Sequence, residues 1–75
     1  MDKDRYKAFK WFLESANNGC ALGQYNLGYC YKNGFGVPKD YNEAFKWFEK
    51  AAKQNDANAQ FIVDRMNSIN KKKST

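Results

Sequence analysis

Apolar residues recur three and four apart along most of this chain, in four blocks separated by short polar or glycine-containing breaks. In the third block Ala44, Trp47, Phe48, Ala51 and Ala52 fall on one helical face, and Lys46, Lys50 and Lys53 fall on the other. The first block, from Asp4 to Asn18, repeats the arrangement, with Ala8, Trp11, Phe12 and Ala16 inward and Lys3, Lys7 and Lys10 outward. Between them, Cys20 to Asn33 places Gly23, Leu27, Cys30 and Tyr31 on one face. The last block, from Asp56 to about Asn70, carries Ala57, Ala59, Phe61, Ile62, Val63 and Met66. The pattern predicts helices over 4–18, 20–33, 40–54 and 56–70, making one domain of residues 1–70. A basic, frayed tail over 71–75 follows, containing Lys71, Lys72 and Lys73.

The breaks carry their own signals. Asp40-x-x-Glu43 reads as a capping box, with the Asp40 carboxylate accepting from first-turn amides and Glu43 reaching back. Gly34 follows the Lys32-Asn33 helix end, where a left-handed glycine belongs. Gly36 permits a second tight turn, and Pro38 keeps the chain extended before Asp40. The Gly34-Phe35-Gly36 stretch also invites comparison with a phosphate-cradling loop. That reading fails, because Lys39 occupies the third glycine position, no strand precedes, and no Gly-Lys-Ser/Thr follows. The loop is therefore expected to be a connector. Gly28 costs about 1 kcal/mol in a helix interior relative to Ala, so it is expected to admit a bulky side chain from a neighbouring helix.

Sliding the chain along itself by 36 residues superimposes Ala8-Phe9-Lys10-Trp11-Phe12 on Ala44-Phe45-Lys46-Trp47-Phe48, identical at every position. Ala16 meets Ala52, Ala21 meets Ala57, Gln24 meets Gln60 and Tyr25 meets Phe61. This is a helical repeat protein of roughly two units. Trp11, Phe12, Trp47, Phe48, Leu27 and Tyr31 are the expected core.

Composition narrows the chemistry. At 75 residues with 43% hydrophobic and 17% aromatic content, the chain is globular but small, and aromatic burial must supply much of its stability. Two cysteines and no histidine cannot build a four-ligand zinc site, and no Cys-His or Ser-His pair exists for nucleophilic catalysis. No cofactor or metal is expected. No apolar run reaches the roughly 18–20 residues that span a bilayer, and Met1-Asp2-Lys3-Asp4-Arg5 lacks a leader layout. The expected location is cytoplasmic, with the nucleus as the alternative.

The residues Gln24-Tyr25-Asn26-Leu27-Gly28, then Tyr31, Gly34, Gly36-Val37, Asp40, Ala44, Trp47 and Ala51-Ala52, together resemble a Sel-one-like repeat. That resemblance implies a right-handed superhelical α-solenoid related to tetratricopeptide repeats. It also implies an adaptor role, as in ubiquitin-ligase assemblies and bacterial and fungal signalling complexes, and no catalysis. Two departures stand out. Asp64 stands where the first unit has Gly28, and Asn67 where it has Tyr31, so the last helix reads as a polar cap. The chain also opens on the second helix of a unit. Either Met1 marks a boundary within a longer protein, or a face of Phe9, Trp11 and Phe12 finds another partner. Some bacterial relatives staple their repeats with a cysteine after the alanine ending the preceding helix, where this chain has Asn17 and Lys53. Cys20 and Cys30 lie about 15 Å apart along one predicted helix, beyond the roughly 7 Å a disulfide allows. Free thiols are expected.

The candidate docking face is Leu22, Tyr25, Asn26, Tyr29 and Lys32, with Tyr25 and Tyr29 one turn apart and stacked. The alternative is that the middle helix packs on both sides and buries these tyrosines. An open face would hold an extended or helical peptide, and the net charge of +5 suits an acidic partner. Two rivals remain. One is nucleic-acid binding by the lysine stripes, which would lose affinity steeply with salt. The other is a structural or self-associating solenoid segment, a homo-oligomer joined through the first helix.

Overall fold

The computed structural model describes residues 3–54 and 56–73, with side chains through residue 68. Four helices follow one another: α1 (Lys3–Asn17), α2 (Ala21–Asn33), α3 (Tyr41–Lys53) and α4 (Ala57–Lys73). Each packs on the next, α1 on α2, α2 on α3 and α3 on α4, giving the all-α solenoid arrangement that the repeat pattern predicts. The Cα extents are 41 × 27 × 15 Å. The smallest matches two helix layers set about 8–10 Å apart, each adding a backbone radius of about 2.3 Å. Helix α4 runs to Lys73 rather than ending at Asn70, since lysine sustains a helix well. Of the expected tail, Ser74 and Thr75 lie outside the described residues.

The caps explain where the helices begin and end. Asp40 Oδ1 accepts from the Glu43 amide at 3.1 Å, which is half of the expected box. The other half is replaced: the Asp40 N–H donates to the Tyr31 carbonyl at 2.9 Å, and the Glu43 carboxylate lies 3.7 Å from Lys46 Nζ. Asp56 Oδ1 caps α4 through the Ala59 amide at 3.2 Å. Gly34 takes the left-handed conformation (φ 71°) and closes α2 onto the Cys30 carbonyl. Gly36 (φ 73°) lies so close to α1 that a Cβ there would sit 2.5 Å from the Arg5 carbonyl oxygen. The loop is a connector folded down onto α1, with Phe35 and Val37 packed on the core and the Arg5 guanidinium 5.4 Å from the Phe35 ring centre.

Two clusters form the core. One joins Phe9 and Ala16 of α1 to Leu27 and Cys30 of α2, with Phe9 meeting Tyr31 edge to face at 5.7 Å. The other joins Ala44 and Phe48 of α3 to Ile62 of α4. Gly28 performs its expected role: a Cβ there would lie 2.8 Å from ring atoms of Phe48. Phe48 and Leu27 are fully buried, while Phe12, Trp47 and Tyr31 are half-buried against the first cluster. The expectation for α1 needs correction. Trp11 is 74% exposed and Phe9 is buried in its place. The cause is that α2 and the connector after it cover α1 along Phe9, Leu13 and Ala16, turning Trp11 away from the contact.

Candidate functional site

Helices α2 and α4 line a groove of about 240 Å³. From α2 come Tyr25, Tyr29 and Lys32, and from α4 come Phe61, Ile62, Arg65 and Met66. The helical repeat sets Tyr25 and Tyr29 one turn apart on the same face. Their rings meet edge to face (5.0 Å, 83°) rather than stacking in parallel. Each also meets Phe48 beneath, at 5.8 and 5.5 Å, so each tyrosine packs on the core and still borders the groove. The rings are half-buried, neither fully open nor covered.

The groove is aromatic at its floor and cationic at its rim. Lys32 Nζ lies 5.4 Å from the Tyr29 ring centre, and the Arg65 guanidinium lies 5.8 Å from that of Phe61. Both distances are within cation–π reach. Hydrogen bonding to the Tyr29 side chain, with burial and repulsion from Tyr29 and Asp56, pushes the Tyr25 phenol up to about 12. The phenol therefore stays neutral well above physiological pH, with its O–H engaged by Tyr29.

The structure divides the expected docking set. Tyr25, Tyr29 and Lys32 share the α2–α4 groove. Leu22 and Asn26 instead line a second groove, of about 430 Å³, whose other wall is Ala8, Trp11 and Phe12 of α1. Leu22 is 63% exposed there. The sequence reading missed the α4 half of the first groove. The signal was present in the repeat, since Phe61 and Arg65 stand 36 residues after Tyr25 and Tyr29. Gln24 was missed as well. It is buried and donates to the Ala16 carbonyl at 3.4 Å, while Gln54 Nε2 donates to Gln24 Oε1 at 2.9 Å and to the Gly19 carbonyl at 2.8 Å. These bonds tie the ends of α1 and α3 to the start of α2, holding the helices that carry the grooves in register.

The remaining chemistry is sparse. Among the described residues no cluster of three or more His, Cys, Asp or Glu is placed to hold a metal ion, and no helix is long and apolar enough to cross a membrane. Cys20 and Cys30 are free thiols. Cys20 is exposed, and a hydrogen bond with the Ser15 side chain, helped by the Gly23 amide, lowers its pKa. Burial raises that of Cys30. The lysines of α1 and α3 lie on exposed faces, where Lys10 covers Tyr6 at 5.5 Å and Lys50 covers Trp47 at 4.8 Å. The Trp47 indole N–H is buried without a hydrogen-bond partner.

A family model matches the stretch that holds Gly28, Phe48 and the Gly34–Gly36 connector. The Sel1 repeat model fits residues 1–20 and 21–56. The chain belongs to the Sel1 repeat family. Its matched boundary after residue 20 separates α1, the closing helix of one unit, from the complete unit α2–α3, and α4 lies beyond the match. Sel1 repeats are generally protein-interaction modules, and the family is typically a non-catalytic scaffold. A crystal structure of a Sel1 repeat protein from Oxalobacter formigenes matches with a TM-score of 0.76 and 43% identity, over 77% of this chain and 24% of that one. The chitin synthase regulator SKT5 of Saccharomyces cerevisiae is 43% identical over 40 residues, which is 53% of this chain and 6% of that protein. The chain therefore spans a small part of either protein's length.

Proposed function

We propose that this chain is a non-catalytic adaptor module that holds an acidic peptide segment of a protein partner in the α2–α4 groove. The observation that carries the reading is the groove's make-up. Tyr25 and Tyr29 border it on a rigid Phe48 base, flanked by Lys32 and Arg65. Rings held in this way offer contact area at little entropic cost, and cations beside them favour carboxylates over other side chains. Membership of an interaction family supports the same reading. Two free thiols suit a reducing compartment, so we infer a cytoplasmic setting.

The lysine faces of α1 and α3 support nucleic-acid binding less well. Lys10 and Lys50 lie over rings of their own helices, and Lys46 stands 3.7 Å from Glu43. The test is to select peptides from a random display library and titrate them into isotopically labelled protein. Binders should be rich in Asp and Glu and should shift the amide signals of Tyr25, Tyr29, Lys32 and Arg65. Lys32→Glu should weaken them by about threefold to tenfold. Binders that shift only the outer lysine faces, or that ignore Lys32→Glu, would contradict the proposal.

A further inference from the structure

The groove between α1 and α2 is the image of an interface already present in the chain. A shift of 36 residues carries Ala8, Trp11 and Phe12 of its α1 wall onto Ala44, Trp47 and Phe48, and Asn26 of its α2 wall onto Ile62. Those later residues form the bed on which α2 lies. Ala44 and Phe48 are fully buried there, Phe48 reaches into the space beside Gly28, and Tyr25 and Tyr29 pack on Phe48 from either side of that glycine. Ile62 closes the same cluster. In the earlier copy the same side chains are open. Ala8 and Phe12 are half-buried, and Trp11 and Leu22 are 74% and 63% exposed along a groove of about 430 Å³.

We propose that the α1–α2 groove binds a helix of the α2 type presented by a partner. Such a helix carries a glycine flanked by aromatics in the spacing Tyr25-Asn26-Leu27-Gly28-Tyr29, with the glycine seated on Phe12. The chain itself supplies the argument. The three α3 residues of that bed, Ala44, Trp47 and Phe48, recur on α1 as Ala8, Trp11 and Phe12, so the same knobs await the same complement. Glycine is required because a Cβ at Gly28 would already lie 2.8 Å from the Phe48 ring.

A second copy of this chain fits the groove poorly. Its α2 is enclosed between its own α1 and α3. Its α4 bears Asp64 where α2 bears Gly28, and docking would press an unpaired carboxylate onto the Phe12 ring. The proposal is independent of the peptide reading of the α2–α4 groove, because the two grooves flank α2 on different sides.

The experiment titrates a lactam-stapled peptide of residues 21–34, with Cys30→Ser to prevent oxidation, into isotopically labelled protein. The staple is needed because so short a helix is largely unfolded in water. Saturable shifts are expected at Ala8, Trp11, Phe12, Leu22 and Asn26. The same peptide with Gly28→Leu should bind at least tenfold more weakly. That comparison leaves the protein unaltered, so it does not depend on how a protein variant folds. Absence of saturable binding, equal binding of the two peptides, or shifts centred on Ala44 and Phe48 would overturn the proposal. So would a molecular mass that rises with concentration and is returned to the monomer by Phe12→Ala, because the groove would then belong to a second copy.

Discussion

Helices α1 and α3 share the stretch Ala-Phe-Lys-Trp-Phe, yet they occupy different environments. In α3 the alanine and the second phenylalanine are fully buried, and the tryptophan is half-buried against the neighbouring cluster. In α1 the same alanine and phenylalanine are half-buried, and the tryptophan is 74% exposed. Local sequence cannot account for a difference between identical segments. The neighbours do: α3 lies between α2 and α4, whereas α1 is flanked on one side, by α2 and the connector that follows it. A solenoid unit cannot bury its apolar face by itself, and each helix takes its environment from what is stacked beside it.

That contrast can be broken most severely at the paired phenylalanines. Phe48→Ala removes a fully buried ring that touches Gly28, Tyr25 and Tyr29, and should cost about 3–5 kcal/mol. Phe12→Ala removes a half-buried ring and should cost about 1–2 kcal/mol, less than the full burial value. Urea unfolding of the two variants measures both, and equal losses would mean that the two faces are covered alike.

A smaller effect sharpens the comparison at the glycine. Gly28→Ala gains helix propensity of up to about 1 kcal/mol but forces a methyl group to 2.8 Å from the Phe48 ring. Overpacking of this kind costs about 1–3 kcal/mol, so a net loss of about 1 kcal/mol is expected. The repeat-equivalent Asp64→Ala on exposed α4 should change stability by no more than about 0.5 kcal/mol. If Gly28→Ala stabilised the protein, the close approach of Phe48 would be refuted.

The elements were largely legible because their signals are local. Helical periodicity, the Asp40 cap and the Gly34 terminator need only a few neighbouring residues, and the 36-residue identity announced the repeat. What was not legible depended on contacts between elements. Phe9 and Trp11 are both apolar positions of α1, and the placement of α2 and its connector decides that Phe9 is buried. Glu43 was expected to reach back to Asp40, but the Tyr31 carbonyl, from the preceding helix, already accepts that amide. The docking set divided for a similar reason. Leu22 and Asn26 share a helix with Tyr25 and Tyr29, and periodicity cannot tell which flank faces α1 and which faces α4. Gln24 gave no apolar signal at all, and its burial follows from bonds to Ala16 and Gln54, the latter 30 residues away in sequence.

The most direct test of the account compares the two tryptophans one at a time. Trp47→Phe leaves Trp11 as the sole indole, and Trp11→Phe leaves Trp47. Acrylamide quenching of each variant then reads the cover over each repeat. The account predicts that Trp11, at 74% exposure, is quenched nearly as readily as a free indole, and that Trp47, packed on the first core cluster beneath Lys50, is markedly shielded. Equal shielding of the two would contradict the claim that identical segments are distinguished by what lies beside them.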